Sequence, residues 1–166
     1  MKKNRIPNLV LQDAVTIYRT NFEGREEQYN RKGDRNFNVL IPPHLVDALL
    51  DYGWNVKATK PREEEDVVEH YLQVAVSFDP FPPTVFMVTN QKTMLDENTV
   101  VLLDAAYITS MDVIINASPW EVNGKSGVKA YLKKGFFNIE QDELDNKYND
   151  IPMAKSSNAF IPDETF

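Results

Sequence analysis

The sequence predicts a mainly β protein built as a small barrel or sandwich. Short runs of alternating apolar and polar residues recur along the chain, and turn signals rich in Pro, Gly and Asn separate them. No strand–helix–strand rhythm of a parallel α/β fold is present. The length of 166 residues fits one domain of ordinary size. We therefore expect about six or seven strands with one or two short helices.

The first half of the chain predicts three strands and one helix. Residues 15–22 and 37–41 alternate with a period of two, which indicates strands. Residues 43–52 carry leucine and valine at helical spacing, and Gly53 stands where a helix C-terminus favours glycine. Residues 54–58 begin another strand. This half therefore predicts two strands, a helix and a third strand, in that order.

The second half predicts further strands joined by recognisable turns. The strand-like runs are residues 71–78, 85–88, 108–117 and 128–139. Three prolines within 79–83 prevent ladder pairing and indicate a turn. Asp96 is placed to cap a short helix over 96–105. Asn123-Gly124 is a signal for a two-residue hairpin turn.

The periodic pattern ends near Asp145. Residues 146–166 are rich in Asn, Asp, Ser and Pro and carry no periodic apolar face, which is typical of a flexible tail. We therefore expect a folded domain over 1–145 and a flexible acidic C-terminal tail over 146–166. A frayed end without function is the alternative for this segment.

The charge of the chain is unevenly distributed. The net charge is −7, yet residues 1–62 hold 11 basic and 7 acidic side chains while residues 63–166 hold 7 and 18. A solvated surface explains such asymmetry in many proteins. The basic first half nevertheless keeps nucleic-acid binding open, because the distribution of charge matters more than its sum.

Several classes of protein are disfavoured by the residue types present. The chain has no Cys, which excludes a disulfide scaffold and a thiolate zinc site. His44 and His70 lack the spacing of a zinc motif. Gly124-Lys125-Ser126 lacks the earlier glycine of a P-loop, because position 119 is Pro. We therefore expect no enzyme activity, cofactor or metal, although an Asp/Glu metal nuclease remains an alternative.

Membrane and export signals are also weak. No apolar run approaches the roughly 18 residues of a membrane span, and the basic start has no apolar segment behind it. We expect a cytoplasmic protein without a signal peptide.

The positive functional signal is a set of aromatic residues interleaved with basic ones. Such a pattern suits single-stranded nucleic acid, because rings stack on bases and cations neutralise phosphates. Ordinary strand surface also carries aromatics and lysines, and Trp54 fits a core position as well as a stacking position. The candidate contacts are Arg31, Lys32, Arg35, Phe37, Trp54, Lys57, Lys60, Trp120, Lys125, Lys129, Tyr131 and Lys133.

These candidates lie in three stretches, Arg25–Phe37, Trp54–Arg62 and Trp120–Lys134. The third stretch has the clearest pattern. Val128, Ala130 and Leu132 are expected to point inward. Lys129, Tyr131 and Lys133 would then share the outer face of the strand.

The chain as a whole resembles small phage single-stranded DNA-binding proteins over residues 10–145. The resembling segments are Asn21–Phe37, Gly53–Lys57, Tyr71–Val74 and, most specifically, Trp120–Leu132. The resemblance implies an OB-fold-like barrel, which has five strands. Because our strand count exceeds five, additional hairpins would have to decorate that barrel.

The C-terminus adds a looser resemblance to the tails of bacterial and phage single-stranded DNA-binding proteins. In those tails acidic residues precede a terminal aromatic residue that docks on replication partners. Here Asp163, Glu164 and Phe166 match that pattern, although Ile161-Pro162 precedes rather than follows the acids.

The resemblance implies a protein that coats single-stranded DNA during phage replication and recombination, without strong sequence preference. Its partners would be that DNA and replication or recombination proteins recruited by the tail, and its location the cytoplasm of a bacterial host. A homodimer is left open. The alternative from another class is a β-rich phage capsid or tail protein whose C-terminus mediates assembly.

Overall fold

The computed structural model describes residues 5–140, and these form eight strands and two helices. In chain order the elements are β1 (Leu9–Ala14), β2 (Arg35–Leu40), α1 (Pro43–Tyr52), β3 (Lys57–Ala58), β4 (His70–Val76), β5 (Thr84–Val88), β6 (Lys92–Leu95), α2 (Leu102–Ala105), β7 (Ile108–Val122) and β8 (Lys125–Ile139). The predicted mainly β class is therefore confirmed. The expected tail, with Asp163, Glu164 and Phe166, lies outside the described residues.

Five of the strands form a closed circuit. Strand β1 pairs with β7, β7 with β8, β8 with β4 and β4 with β2, and only the β4–β8 pair is parallel. The chain that follows β1 then returns to β2, because Leu40 N–H donates to Val15 O at 2.9 Å and Ile17 N–H donates to Asn38 O at 3.1 Å. This is the strand order of an OB-fold, and it confirms the predicted OB-fold-like barrel.

Three phenylalanines fill the centre of the barrel. Phe22, Phe37 and Phe137 are fully buried, and their ring centroids lie 5.5–5.6 Å apart. They come from the β1–β2 connection, β2 and β8, so their packing joins segments that are far apart in sequence. Phe37 was predicted as a nucleic-acid contact, and that prediction is wrong because its ring is inside the barrel.

Helix α1 matches its prediction at both ends. Proline occupies its first turn, where a missing N–H costs nothing. Gly53 ends the helix at φ 96°, in the left-handed conformation that glycine adopts without strain. Val46 and Leu49 face the core. The local signals for this helix agree with its packing.

The first predicted strand is misplaced. Residues 9–14 form β1, whereas residues 15–22 make only isolated bridges to β2 through Thr16 and Asn21. Tyr18 interrupts the extended backbone with φ 63°. The alternation of residues 15–22 therefore reflects a segment that crosses from β7 to β2 rather than one strand.

The remaining differences concern short elements. Strand β6 was not predicted; it forms a hairpin with β5, and β5 pairs in parallel with β8, so this hairpin decorates the barrel as expected. The strand predicted from Trp54 is reduced to β3. Asp96 caps a turn rather than α2: its carboxylate accepts hydrogen bonds from the Thr99 hydroxyl and from the backbone of Asn98 and Thr99, which lower its pKa.

Among the described residues no helix is long and apolar enough to cross a membrane.

Candidate nucleic-acid interface

A long groove crosses the outer face of β2 and β4. One wall is formed by the end of the β1–β2 loop (residues 29–34), and the other by Trp120 and residues 126–131 of the β7–β8 hairpin. The groove has a volume of about 910 Å³. In an OB-fold this face and these two loops are where oligonucleotides bind.

The floor of the groove is polar because of the strand register. Asn36 of β2 is paired with Ala75 of β4, and Asn38 with Gln73, while Phe37, Val39 and Val74 point into the core. Asn36, Ala75 and Gln73 line the groove. These side chains are short, so the groove is open above the sheet.

Strand β8 gives the groove a ring and a cation. Val128, Ala130 and Leu132 are buried, as predicted. Lys129 and Tyr131 lie on the outer face, where the Lys129 ammonium sits 5.1 Å from the centroid of the Tyr131 ring. The predicted arrangement of these two side chains is therefore confirmed.

The predicted row does not continue to Lys133. Ile115 is paired with Leu132, but Ile114 is paired with Lys134, so one residue of β8 is left over at a bulge. Beyond the bulge the alternation moves by one position. Lys134, rather than Lys133, continues the outward face, and its ammonium lies 5.3 Å from the Phe136 ring.

Trp120 forms the edge of the hairpin wall. It is paired with Gly127 across the hairpin, and 45% of its surface is exposed. A methyl group at Gly127 would lie 2.8 Å from Cζ2 of the indole. The indole can therefore occupy this position only because Gly127 has no side chain.

Hydrogen bonds within the β1–β2 loop hold the opposite wall. The Asn21 side chain accepts the N–H groups of Gly24 and Arg25. The Asn30 amide donates to Arg25 O at 2.7 Å and to Asp34 O at 3.0 Å. These bonds replace strand pairing in a long irregular segment.

Asp104 anchors the same loop to α2. Its carboxylate accepts hydrogen bonds from the Thr20 hydroxyl at 2.7 Å and from the backbone N–H groups of Phe22 and Glu23 at 2.8 and 2.9 Å. Arg25 adds an ion pair at 3.3 Å, and the Asp104 side chain is only 8% exposed. The loop that carries Tyr29, which is 92% exposed, is therefore anchored by these contacts.

Arg35, at the start of β2, borders the groove. Its guanidinium lies 5.5 Å from the centroid of the Phe78 ring. Its Nε atom is buried without a hydrogen-bond partner.

The groove is electrically balanced. Its basic residues are Arg31, Arg35 and Lys129, and its acidic residues are Asp34, Asp79 and Glu97. Arg31 Nε contacts Asp34 Oδ2 at 3.2 Å, and both side chains are more than half exposed. Such an exposed pair is weak. The rings are therefore more distinctive of this groove than its net charge.

The predicted contacts divide into three groups. Arg31, Arg35, Trp54, Trp120, Lys129 and Tyr131 border the groove. Lys32, Lys57, Lys60, Lys125 and Lys133 do not. Phe37 belongs to the core, and so does the Trp54 ring, which is only 3% exposed even though the residue borders the groove.

Sequence reasoning missed Tyr29 and Phe78 as groove residues. Tyr29 stands inside a basic stretch that was recognised, so its position was a usable signal. Phe78 follows β4, and the alternation of that strand assigns its side chain to the inward-facing set. No neighbouring residue distinguishes it from a core residue. Within residues 5–140 no three His, Asp or Glu side chains cluster closely enough to hold a metal ion.

Comparisons with known structures place the fold among phage proteins. The single-stranded DNA-binding protein of bacteriophage Enc34, solved in complex with ssDNA, has a TM-score of 0.56 and 9% identity over 81% of this chain and 88% of that chain. A second structure of the Enc34 protein has a TM-score of 0.52 and 10% identity over 92% and 89%. At such identities the likeness concerns the fold. A comparison with curated proteins finds no match in sequence.

The family assignment rests on the sequence as a whole. The family described as "Putative phage ssDNA-binding domain" matches residues 1–165. The chain belongs to this family of phage single-stranded DNA-binding domains.

Proposed function

We propose that this chain binds single-stranded DNA in the groove and coats it without strong sequence preference, as a non-enzymatic accessory of phage replication and recombination. The observation that carries the proposal is the placing of Tyr29, Trp120 and Tyr131 around one open groove that also holds Arg35 and Lys129. The Enc34 protein of the same fold was solved with ssDNA.

Stacking explains both the single-strand preference and the weak sequence preference. Each base has two faces that an aromatic ring can cover, and a duplex hides them in its own stack. A ring contributes about 1–3 kcal/mol per stacked base, whichever base it is. Two or three rings in one groove therefore contribute about 2–9 kcal/mol if each stacks on one base.

The cations orient the strand and add a modest electrostatic contribution. Arg31 has to exchange Asp34 for a phosphate, which is feasible because that exposed ion pair is weak. If the three groove cations each neutralise one phosphate, the slope of log K against log salt is about −2, at about 0.7 per phosphate. A slope close to zero would contradict phosphate contacts by these side chains.

Intrinsic tryptophan fluorescence provides the direct test. Trp120 is 45% exposed at the groove, whereas Trp54 is 3% exposed and supplies a constant background. Titration with poly(dT) at low salt is expected to quench strongly. Trp120→Phe removes the quench and assigns it to the groove, and Tyr107→Ala, at an exposed ring away from the groove, serves as the matched control. A flat titration of the wild-type protein would refute the proposal.

We propose further that residues 146–166 recruit replication or recombination proteins in the host cytoplasm through Asp163, Glu164 and Phe166. The support is the acidic, aromatic end of the sequence. Phe166→Ala is expected to abolish capture of a replication protein in a pull-down and to leave DNA affinity unchanged. Retained capture would refute this role. Whether the chain pairs as a homodimer is a separate question for sedimentation.

A further inference from the structure

Tyr18 adopts a backbone conformation that its side chain disfavours. Its φ of 63° lies in the left-handed region, which is unfavourable for a bulky residue. Burial of the ring does not offset this backbone strain, because 58% of the Tyr18 surface is exposed. Strain that is not repaid by packing is concentrated at functional sites.

The strained backbone brings the Tyr18 ring against Tyr71. The two ring centroids are 5.3 Å apart and the ring planes are inclined at 81°. This edge-to-face contact holds one ring upright beside the other. Burial, together with the neighbouring Tyr18, raises the pKa of Tyr71 above its ordinary value.

The Tyr18–Tyr71 pair lies on the same sheet face as the groove. Tyr71 is on β4, two residues before Gln73 and four before Ala75, and both of these line the groove. Side chains two apart on a strand share a face, so Tyr71 continues that row. At about 3.3 Å per residue, Tyr71 lies about 13 Å along β4 from Ala75.

A lysine completes the group. Lys57 of β3 is paired directly with Tyr71, and directly paired residues place their side chains on one face. Two rings and an ammonium group on one surface repeat the chemistry of the groove, where Lys129 lies beside Tyr131. Lys57 was predicted as a DNA contact but does not border the groove, so this position gives it a role.

We propose that Tyr18, Tyr71 and Lys57 form a second base-stacking platform that extends the groove along β4. The inference rests on the proposed function, because its ligand is the same DNA strand after it leaves the groove. A short oligonucleotide fills the groove alone, whereas a longer one reaches the platform as well. The same DNA strand is the expected occupant, because Tyr71 follows the groove residues Ala75 and Gln73 on the outer face of β4.

The test compares two oligonucleotide lengths within the usual site size of an OB-fold, about 4 and about 12 thymidines. Tyr18→Asn removes the ring and places at this φ a residue that tolerates it. We expect its affinity for the long oligonucleotide to fall about 5- to 150-fold, the equivalent of one lost stacked base. Binding of the short one, followed by Trp120 quenching, is expected to stay unchanged.

Matched variants separate the ring from the fold. Tyr18→Phe keeps the ring and should retain wild-type affinity for both lengths, and Tyr52→Ala, at an exposed tyrosine of α1, should do the same. Lys57→Ala should reduce the salt slope by about 0.7 for the long oligonucleotide alone. Thermal melting verifies that each variant is folded.

The outcomes distinguish this inference from the proposed function. If the wild-type protein binds neither oligonucleotide, the proposed function fails and the platform with it. If it binds both and Tyr18→Asn lowers neither affinity more than twofold, the platform alone is refuted. An equal loss for both lengths would also overturn it, because the variant would then act on the groove.

Discussion

A single methyl group at Gly127 tests whether the position of Trp120 matters for DNA binding. The Cβ atom of Gly127→Ala would lie 2.8 Å from Cζ2 and 3.1 Å from Nε1 of the indole. Non-bonded carbon atoms prefer about 3.5–4.0 Å, so the ring has to retreat by about 1 Å or turn away. Because Trp120 is 45% exposed, it can move into solvent without displacing the core.

The expected result is a binding defect in a stable protein. Alanine is preferred to glycine within a strand by about 0.5–1 kcal/mol, which offsets the lost contact with the indole. The melting temperature should therefore stay close to that of the wild type. Loss of the productive ring position should weaken DNA binding by about 1–3 kcal/mol, or about 5- to 150-fold.

The assay is fluorescence anisotropy of a labelled oligo(dT), because quenching would report the moved indole itself. Gly135→Ala is the matched control: its Cβ atom would lie 2.7 Å from Cε2 of Phe137, which is fully buried. That ring cannot retreat, so this variant should lose about 1–3 kcal/mol of stability by overpacking. Wild-type DNA affinity of Gly127→Ala would refute the reasoning, and so would a melting loss equal to that of Gly135→Ala.

Four other perturbations test stacking, charge, loop order and the tail. Tyr131→Ala should weaken DNA binding by about 1–3 kcal/mol without changing the salt slope. Lys129→Ala should reduce the salt slope by about 0.7, whereas Lys60→Ala, which lies away from the groove, should leave the slope unchanged. Salt titrations measure both quantities. Asp104→Ala leaves the Thr20 hydroxyl and the N–H groups of Phe22 and Glu23 without their acceptor, so calorimetry should find about 2–4 kcal/mol less stability, and anisotropy weaker DNA binding; an unchanged melt would contradict the anchoring role. A chain ending at Asp145 should melt as the full chain does and bind DNA more tightly at low salt, since an acidic segment held at high effective concentration competes for the groove; unchanged affinity would count against that competition.

The elements that the sequence predicted correctly are those whose signals are local. Helix α1 is specified by its leucine spacing and by Gly53, and the β7–β8 hairpin by Asn123-Gly124, whose φ values of 50° and 79° suit a tight turn. The alternation of β8 likewise follows from its own residues up to Leu132. In each case neighbouring residues contain the whole signal.

The errors arise where distant contacts decide. Phe37 is an exception, because the alternation of β2 already groups it with the inward-facing Val39. The bulge at Lys133 depends on how Ile114 and Ile115 of β7 register with β8. The misplaced first strand has the same cause, because residues 15–17 are extended but pair with β2 in place of β7.

The acidity of the chain and its proposed ligand are compatible because charge contributes little at the groove. Three cations and three carboxylates border it, so a phosphate backbone meets no strong net field there. Free energy of binding then has to come from the rings, whose contribution salt does not screen. Pairing of the bases releases a strand as well as rising salt does, since pairing withdraws the faces on which Tyr29, Trp120 and Tyr131 would stack. Its net charge of −7 adds general repulsion of duplex DNA, which favours the single strand further.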